Sequence, residues 1–221
     1  MIKAIIFDMD GLLIASEEVW YKARKDMFEP NNIEWTWEDQ KNTMGVSTQT
    51  WVNYMTDKAG GKFTSEEILN GIADRMLKYY NAGEVDAMPG ADEALRYSFE
   101  DYKTAVASGS YKKLLYAALG SKDWEKYLNE ILSSDDLKKG KPAPDIYLET
   151  AKRLGVKPEE AVVLEDSADG MRAGVAAGTH VIAVPSEGVK VPEEIKDKVE
   201  EVIPSLNDFV PALERIINRL K

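Results

Sequence analysis

The chain has no cysteine and one histidine, His180. The first absence removes disulfides, thiolate metal ligands and cysteine nucleophiles. The second rules out a zinc centre built from several histidines, and any serine–histidine–aspartate triad would have to use His180. That residue opens the apolar run His180-Val181-Ile182-Ala183-Val184, so a structural or surface part is expected for it. No apolar run approaches ~18 residues, which excludes a membrane-spanning helix. The opening Met1-Ile2-Lys3-Ala4-Ile5-Ile6-Phe7 is too short for a signal peptide and runs into Asp8, so a cytoplasmic setting is expected. Positive charge is also scarce: 28 Lys and Arg against 39 Asp and Glu leave a net charge of −11. Such a surface repels polyanions, so neither nucleic acid nor an anionic membrane is expected as a partner. The chemistry left to this chain is that of carboxylates, hydroxyls and lysine.

The hydrophobic share of 44% and charged share of 30% are those of a globular protein, and 221 residues suit one large domain or a core with a smaller insert. Short apolar runs alternate with helical patterns. Strands are expected at Lys3–Phe7, Lys103–Ala107, Glu130–Ser133, Ala161–Leu164 and His180–Val184, with a weaker sixth at Glu201–Ile203. Continuous apolar strands separated by helices imply an open parallel sheet covered on both faces, an α/β Rossmann-like core. Roughly ninety residues separate the first two strands, far more than one crossover helix needs. Most of that stretch reads as helix. Thr64-Ser65-Glu66-Glu67 is a capping box, followed by Ile68, Ile72 and Met76 on one stripe. A helical cap over 16–82 is therefore expected, inserted into a core made of 1–15 and 83–221, with crossings near Ala15 and in the Gly- and Pro-bearing segment around Gly83 and Pro89. Ser205-Leu206-Asn207-Asp208 starts a C-terminal helix.

Four polar clusters follow apolar strands: Asp8-Met9-Asp10-Gly11, Ser108-Gly109-Ser110, Lys141 in Gly140-Lys141-Pro142, and Glu165-Asp166-Ser167. Each alone has a plain reading as a turn, a loop or a helix cap. In an open parallel sheet, however, all four would meet at the carboxyl ends of the strands, where such sheets bind ligands. Clustered carboxylates without His or Cys suit a hard cation such as Mg²⁺. A lysine and a hydroxyl beside that ion can hold phosphoryl oxygens, and one carboxylate can act as nucleophile. Asp10, two residues after Asp8, could face another way and serve as general acid and base.

With these motifs in view, the sequence resembles the haloacid dehalogenase superfamily over essentially its whole length, in the branch with a helical cap inserted after the first motif. Phe7-Asp8-Met9-Asp10-Gly11-Leu12-Leu13 is similar to the family's first motif, Ser108 to the second, Lys141 in Gly-Lys-Pro-Ala-Pro-Asp to the third, and Glu165-Asp166-Ser167-Ala168-Asp169-Gly170 to the fourth. The resemblance implies Asp8 as nucleophile and Asp10 as general acid/base. It implies Ser108 and the Gly109 amide, with Ser110 beside them, as phosphoryl-binding groups, and Lys141 as the cation steadying Asp8. It implies Mg²⁺ held by Asp8, the Asp10 carbonyl and Asp166, with Glu165 behind them or acting through water. The expected substrate is a small phosphorylated metabolite, and the expected state a monomer.

The dehalogenases that named the family lack the second Asp of the first motif, so Asp10 favours phosphoryl transfer. The sequence is similar to the β-phosphoglucomutase-like group, which holds both mutases and metabolite phosphatases. Mutases of that group grip a second phosphate with a cap histidine and arginine, and here the corresponding residues are Trp20 and either Thr48 or Gln49. A phosphatase is therefore the favoured reading, with a phosphosugar mutase and a non-catalytic metabolite-binding protein as the alternatives. Sugar-phosphate and pseudouridine-phosphate phosphatases are equally similar. Ala15 stands where relatives carry Asp, which puts hinge hydrogen bonding and cap closure in question. Substrate contacts in the cap are expected from Glu17, Trp20, Tyr21 and Arg24, with Gly45 on a loop facing the crevice. Gly170, Gly174 and Gly178 are expected to allow close helix–sheet packing.

Overall fold

The structure, a computed structural model, describes residues 1–44, 46 and 48–221. Six parallel strands form one sheet in the order β3-β2-β1-β4-β5-β6. They are β1 (Ala4–Phe7), β2 (Lys103–Ser108), β3 (Glu130–Ser133), β4 (Ala161–Glu165), β5 (His180–Ala183) and β6 (Val199–Val202). Every residue of β1 and β4 is buried, as expected of central strands covered by helices on both faces. The covering helices are α5 (Ala91–Asp101), α6 (Lys112–Ser121), α7 (Asp145–Leu154), α8 (Ala168–Ala177) and α9 (Phe209–Arg219). Phe209, Leu213 and Ile216 of α9 are buried, on the stripe expected from their spacing.

Strand order reverses at β1, which has β2 on one side and β4 on the other. Phe7 is level with Val106 and with Leu164, so the chain leaves β1 as Asp8 beside Ala107 and Glu165. This is the switch point where open α/β sheets bind ligands.

Between β1 and β2 lie α1 (Glu17–Phe28), α2 (Trp37–Asn42), α3 (Thr48–Ala59) and α4 (Ser65–Asn81) ahead of α5. The capping box of α4 is formed: Glu67 N donates to Thr64 Oγ1 at 3.2 Å and Thr64 N donates to Glu67 Oε2 at 2.8 Å. Thr36 and Asp39 build a second box at the start of α2. Phe28, Trp35, Met55, Ile68, Ile72 and Met76 are buried among these helices. The two crossings run side by side: Ile14 bridges Ala87, Ala15 N donates to Asp86 O at 2.9 Å, and Met88 N donates to Leu13 O at 2.8 Å. The hinge is thus joined by backbone pairing, while Ala15 itself is exposed.

The structure differs from the sequence reading in two places. β6 begins two residues before the expected Glu201, because an irregularity between Val181 and Ile182 shifts its pairing. Val202, within the expected sixth strand, is 59% exposed on β6, the strand at the sheet's edge. Gly178 is a helix C-cap with φ 77°, with nothing near its missing Cβ, so backbone conformation rather than packing calls for glycine there.

Gly174 and Gly170 do pack closely. A Cβ at Gly170 would overlap the carboxyl group of Glu165, which is fully buried and held by Lys141 and Ser167. Gly170→Ala is expected to destabilise the protein by roughly 1–3 kcal/mol, the usual cost of overpacking. Urea unfolding measures this, and an unchanged midpoint would show that Glu165 can move aside.

Candidate active site

Asp8 follows β1 directly, and its carboxylate accepts from Lys141 Nζ at 2.5 Å through Oδ1. The same ammonium donates to Glu165 Oε1 at 2.5 Å and to the Ala107 carbonyl at 3.3 Å. One cation from the loop before α7 therefore ties the ends of β1, β2 and β4. Asp8, Glu165 and Asp166 each offer an oxygen within 4.8 Å of one another, and all three are buried. Asp166 Oδ2 accepts from Ser186 Oγ at 2.5 Å, while its Oδ1 is buried without a hydrogen-bond partner among the described residues. A buried carboxylate oxygen left bare beside two more carboxylates is the arrangement a hard cation satisfies. Gly11, at φ 79°, brings the turn against Asp166, where a Cβ would overlap the carboxylate.

The electrostatics express the same crowding. Burial, reinforced by Glu165 and Asp10 and opposed by Lys141, pushes Asp8 up to about 7 from 3.8. Burial, then the charges of Asp8 and Glu165, raise Asp166 well above the carboxylate range. Burial alone would lower Lys141, but Asp8 and Glu165 drive it well above 10.5. A carboxyl whose pKa is higher in the folded state binds its proton more tightly there, so its ionisation opposes folding. Without metal, stability is therefore expected to fall as pH rises from about 4 to about 7, the interval between Asp8's two values. Thermal melts of chelator-treated protein at pH 5 and pH 7 measure this, and a higher midpoint at pH 7 would contradict it.

Asp10 stands apart from the three-carboxylate cluster. Its Oδ1 accepts from Ser16 Oγ at 2.6 Å and Trp20 Nε1 at 3.2 Å, and its Oδ2 accepts from Ser110 Oγ at 2.5 Å. The expected metal role of Asp10 therefore does not involve its side chain. Ser108, 1% exposed, accepts from Ser110 N at 3.0 Å, and Ser133 and Ser134 brace this turn through the carbonyls of Ser110 and Gly109.

Asp8, Asp10, Ser108, Gly109, Ser110, Lys141, Glu165 and Asp166 are thus brought to one rim. Of the cap residues, Trp20 reaches Asp10, and Glu17 and Arg24 share its helix face. Tyr21 turns to the cap's own packing, with its ring 5.0 Å from that of Trp37. Gly45, with Ser47, lies outside the described residues. His180 bridges Glu200 and the Glu159 carbonyl, as a structural residue does.

Sequence reasoning missed Tyr147, Ser186 and Ser16. Tyr147 projects from α7 and donates from its hydroxyl to Glu165 Oε1, with its ring 5.2 Å from Lys141 Nζ. No motif marks it in the sequence, and it is buried on α7 with Ile146 and Ala151. Ser186 followed no motif. Ser16 sat in view as the residue before the first cap helix.

The family model for haloacid dehalogenase-like hydrolases matches residues 5–184. The chain belongs to this family, and it is an enzyme. It is 30% identical over 181 residues to the phosphorylated carbohydrates phosphatase of Thermotoga maritima, covering 81% of this chain and 83% of that protein. It is 31% identical over 189 residues to hexitol phosphatase B of Escherichia coli strain K12, covering 84% of each. Its fold matches the crystal structure of CbbY from Rhodobacter sphaeroides in complex with phosphate, with a TM-score of 0.83 at 24% identity over 95% of this chain and 96% of that one.

Proposed function

We propose that the protein is a Mg²⁺-dependent phosphatase that hydrolyses a small phosphorylated metabolite, such as a sugar phosphate, through a phosphoryl group carried on Asp8. The observation behind this reading is a division of labour among carboxylates: Asp8, Glu165 and Asp166 cluster around one bare oxygen, while Asp10 is held outside the cluster by hydroxyl and indole donors. The first set suits a cation and a nucleophile, the second a proton carrier. The relatives named as phosphatases support the same chemistry.

Asp8, Asp166 and the Asp10 carbonyl would hold Mg²⁺, with Glu165 behind them or acting through water, and the ion would supply charge to offset the phosphoryl oxygens. An Asp8 oxygen attacks phosphorus and the bond to the leaving oxygen breaks. A proton from Asp10 goes to that oxygen and frees the alcohol. The hydroxyls of Ser16 and Ser110 can accept as well as donate, so Asp10 can carry the proton in their company. Asp10 then takes a proton from water as the water attacks phosphorus. The bond to Asp8 breaks, and inorganic phosphate leaves. Lys141 keeps Asp8 oriented throughout, and Ser108 with the Gly109 amide would donate to the phosphoryl oxygens.

A cytoplasmic monomer with no nucleic-acid or membrane partner belongs to the same reading. The net charge of −11 supports the absence of a polyanionic partner, and no described helix is long and apolar enough to cross a membrane. Purified protein is expected to release phosphate from sugar, polyol or nucleoside phosphates with Mg²⁺ present, and to stop when a chelator is added. Isomer formation without free phosphate, from a sugar 1-phosphate plus a bisphosphate primer, would replace this reading with a mutase. Silence across the whole panel would leave a binding protein.

A further inference from the structure

Glu17, Trp20 and Arg24 fall on one face of α1, a turn apart. Trp20 donates its indole N–H to Asp10, so this face looks onto the proposed proton carrier. Arg24 is 3% exposed, with its guanidinium 4.9 Å from the Trp20 ring and 5.8 Å from each of the Trp35 and Trp51 rings. A cation buried this deeply ordinarily has a carboxylate against it, because an unpaired buried charge is costly. Among the described residues no ion pair reaches Arg24. Its Nη1 donates to Gln40 Oε1 at 2.7 Å, and its Nε is buried with no partner. Gln40 passes the connection on, its Nε2 donating to Glu17 Oε2 at 3.2 Å. A neutral amide thus holds a guanidinium and a carboxylate apart, each with hydrogen-bonding capacity left over. The Tyr80 hydroxyl of α4 is also buried and unpartnered, and the charges of Asp10 and Glu17 act on it.

We infer that Arg24, Gln40 and Glu17 form a hydroxyl-reading subsite in the cap, selecting phosphomonoesters whose alcohol part is an uncharged polyhydroxylated chain or ring. The inference rests on the phosphatase reading of the same crevice. Neighbouring hydroxyls present donors and acceptors together, which a guanidinium and a carboxylate spaced by an amide can answer in kind. Indole surfaces alongside suit the C–H faces of such a chain. A second phosphate or carboxylate fits this place worse, since Glu17 and Asp10 already act on Arg24 and a further negative charge would meet two acids with one cation.

The test uses the Asp8→Asn protein, so that binding is read whether or not turnover occurs. With Mg²⁺ present, glucitol 6-phosphate, 6-phosphogluconate and ethyl phosphate are titrated calorimetrically. The first two differ in charge at one end, and the third lacks the hydroxyls. Glucitol 6-phosphate is expected to bind roughly tenfold or more tighter than ethyl phosphate, the scale of one or two charge-assisted hydrogen bonds, and tighter than 6-phosphogluconate. Adding Arg24→Met should bring the glucitol-to-ethyl ratio close to one. Because a buried arginine can be needed for folding, the isosteric Glu17→Gln is measured beside it, with a fall in that ratio of about fivefold expected. An unchanged ratio in the variants would overturn the subsite, as would tighter binding of 6-phosphogluconate, which would make Arg24 a reader of a second anion. If the ratio behaves as expected but wild-type protein releases phosphate from none of the sugar, polyol and nucleoside phosphates, the subsite stands and the phosphatase reading falls.

Discussion

Asp8→Asn is expected to lower phosphate release by roughly 10⁴-fold or more, the scale on which removing a nucleophile acts. The amide keeps the size of the carboxylate but cannot form the bond to phosphorus. Its effect on stability should have the opposite sign. Asp8 sits beside Glu165 and Asp166 with its proton affinity raised by burial to about 7, so its ionised form opposes folding of the metal-free protein. Above that pH the neutral Asn is expected to melt at the same temperature as wild type or higher. Lost turnover with a preserved melt separates a chemical role from a structural one. A rapid acid quench during turnover should leave phosphate on wild-type protein and none on the variant. Near wild-type turnover in Asp8→Asn would refute the assignment.

Lys141→Met should cost both activity and stability. Lys141 is the one described cation tied to Asp8 and Glu165, and all three side chains are nearly or fully inaccessible. Removing it strands two buried carboxylates, which typically costs about 3–5 kcal/mol. Turnover should fall by about 10²–10³-fold through the loss of one electrostatic contact to the reacting groups. Lys141 also opposes the rise in Asp8's pKa, so its loss should raise that pKa further and move the acidic limb of the activity profile to higher pH. Mg²⁺ titrations during urea unfolding and a pH–rate profile read these effects. A variant with wild-type stability in chelator would show that the ion pair contributes little.

Much of this arrangement was legible before any coordinates. Five strands stood out because a buried parallel strand must be apolar on both faces, so each reads as a short apolar run bounded by polar or turn residues. Three of the four polar clusters stood out because each interrupts the chain where such a strand ends, and the fourth, around Lys141, follows β3 at short range. β6 was less legible: at the edge one face meets water, so its apolar residues mark neither its start nor its centre. Trp20 shows a different limit. The sequence reading set it among the cap's substrate contacts, whereas its indole N–H serves Asp10. Tyr147 and Ser186 were invisible because a hydroxyl on a helix or in a loop says nothing of what it will face.

The amino-acid sequence by itself placed five of the six strands and the helical stretch between the first two, and it left carboxylates, hydroxyls and lysine as the candidate chemistry. Local sterics and apolar periodicity are enough for that. Only the tertiary structure decided that Lys141 meets Asp8 across 133 positions, that Asp10 faces the cap rather than the acid cluster, and that Arg24 is buried with no ion pair among the described residues. Those outcomes depend on strand order and on how the cap seats over the sheet. Both are set by the burial of the whole apolar surface at once, which no local run of residues records.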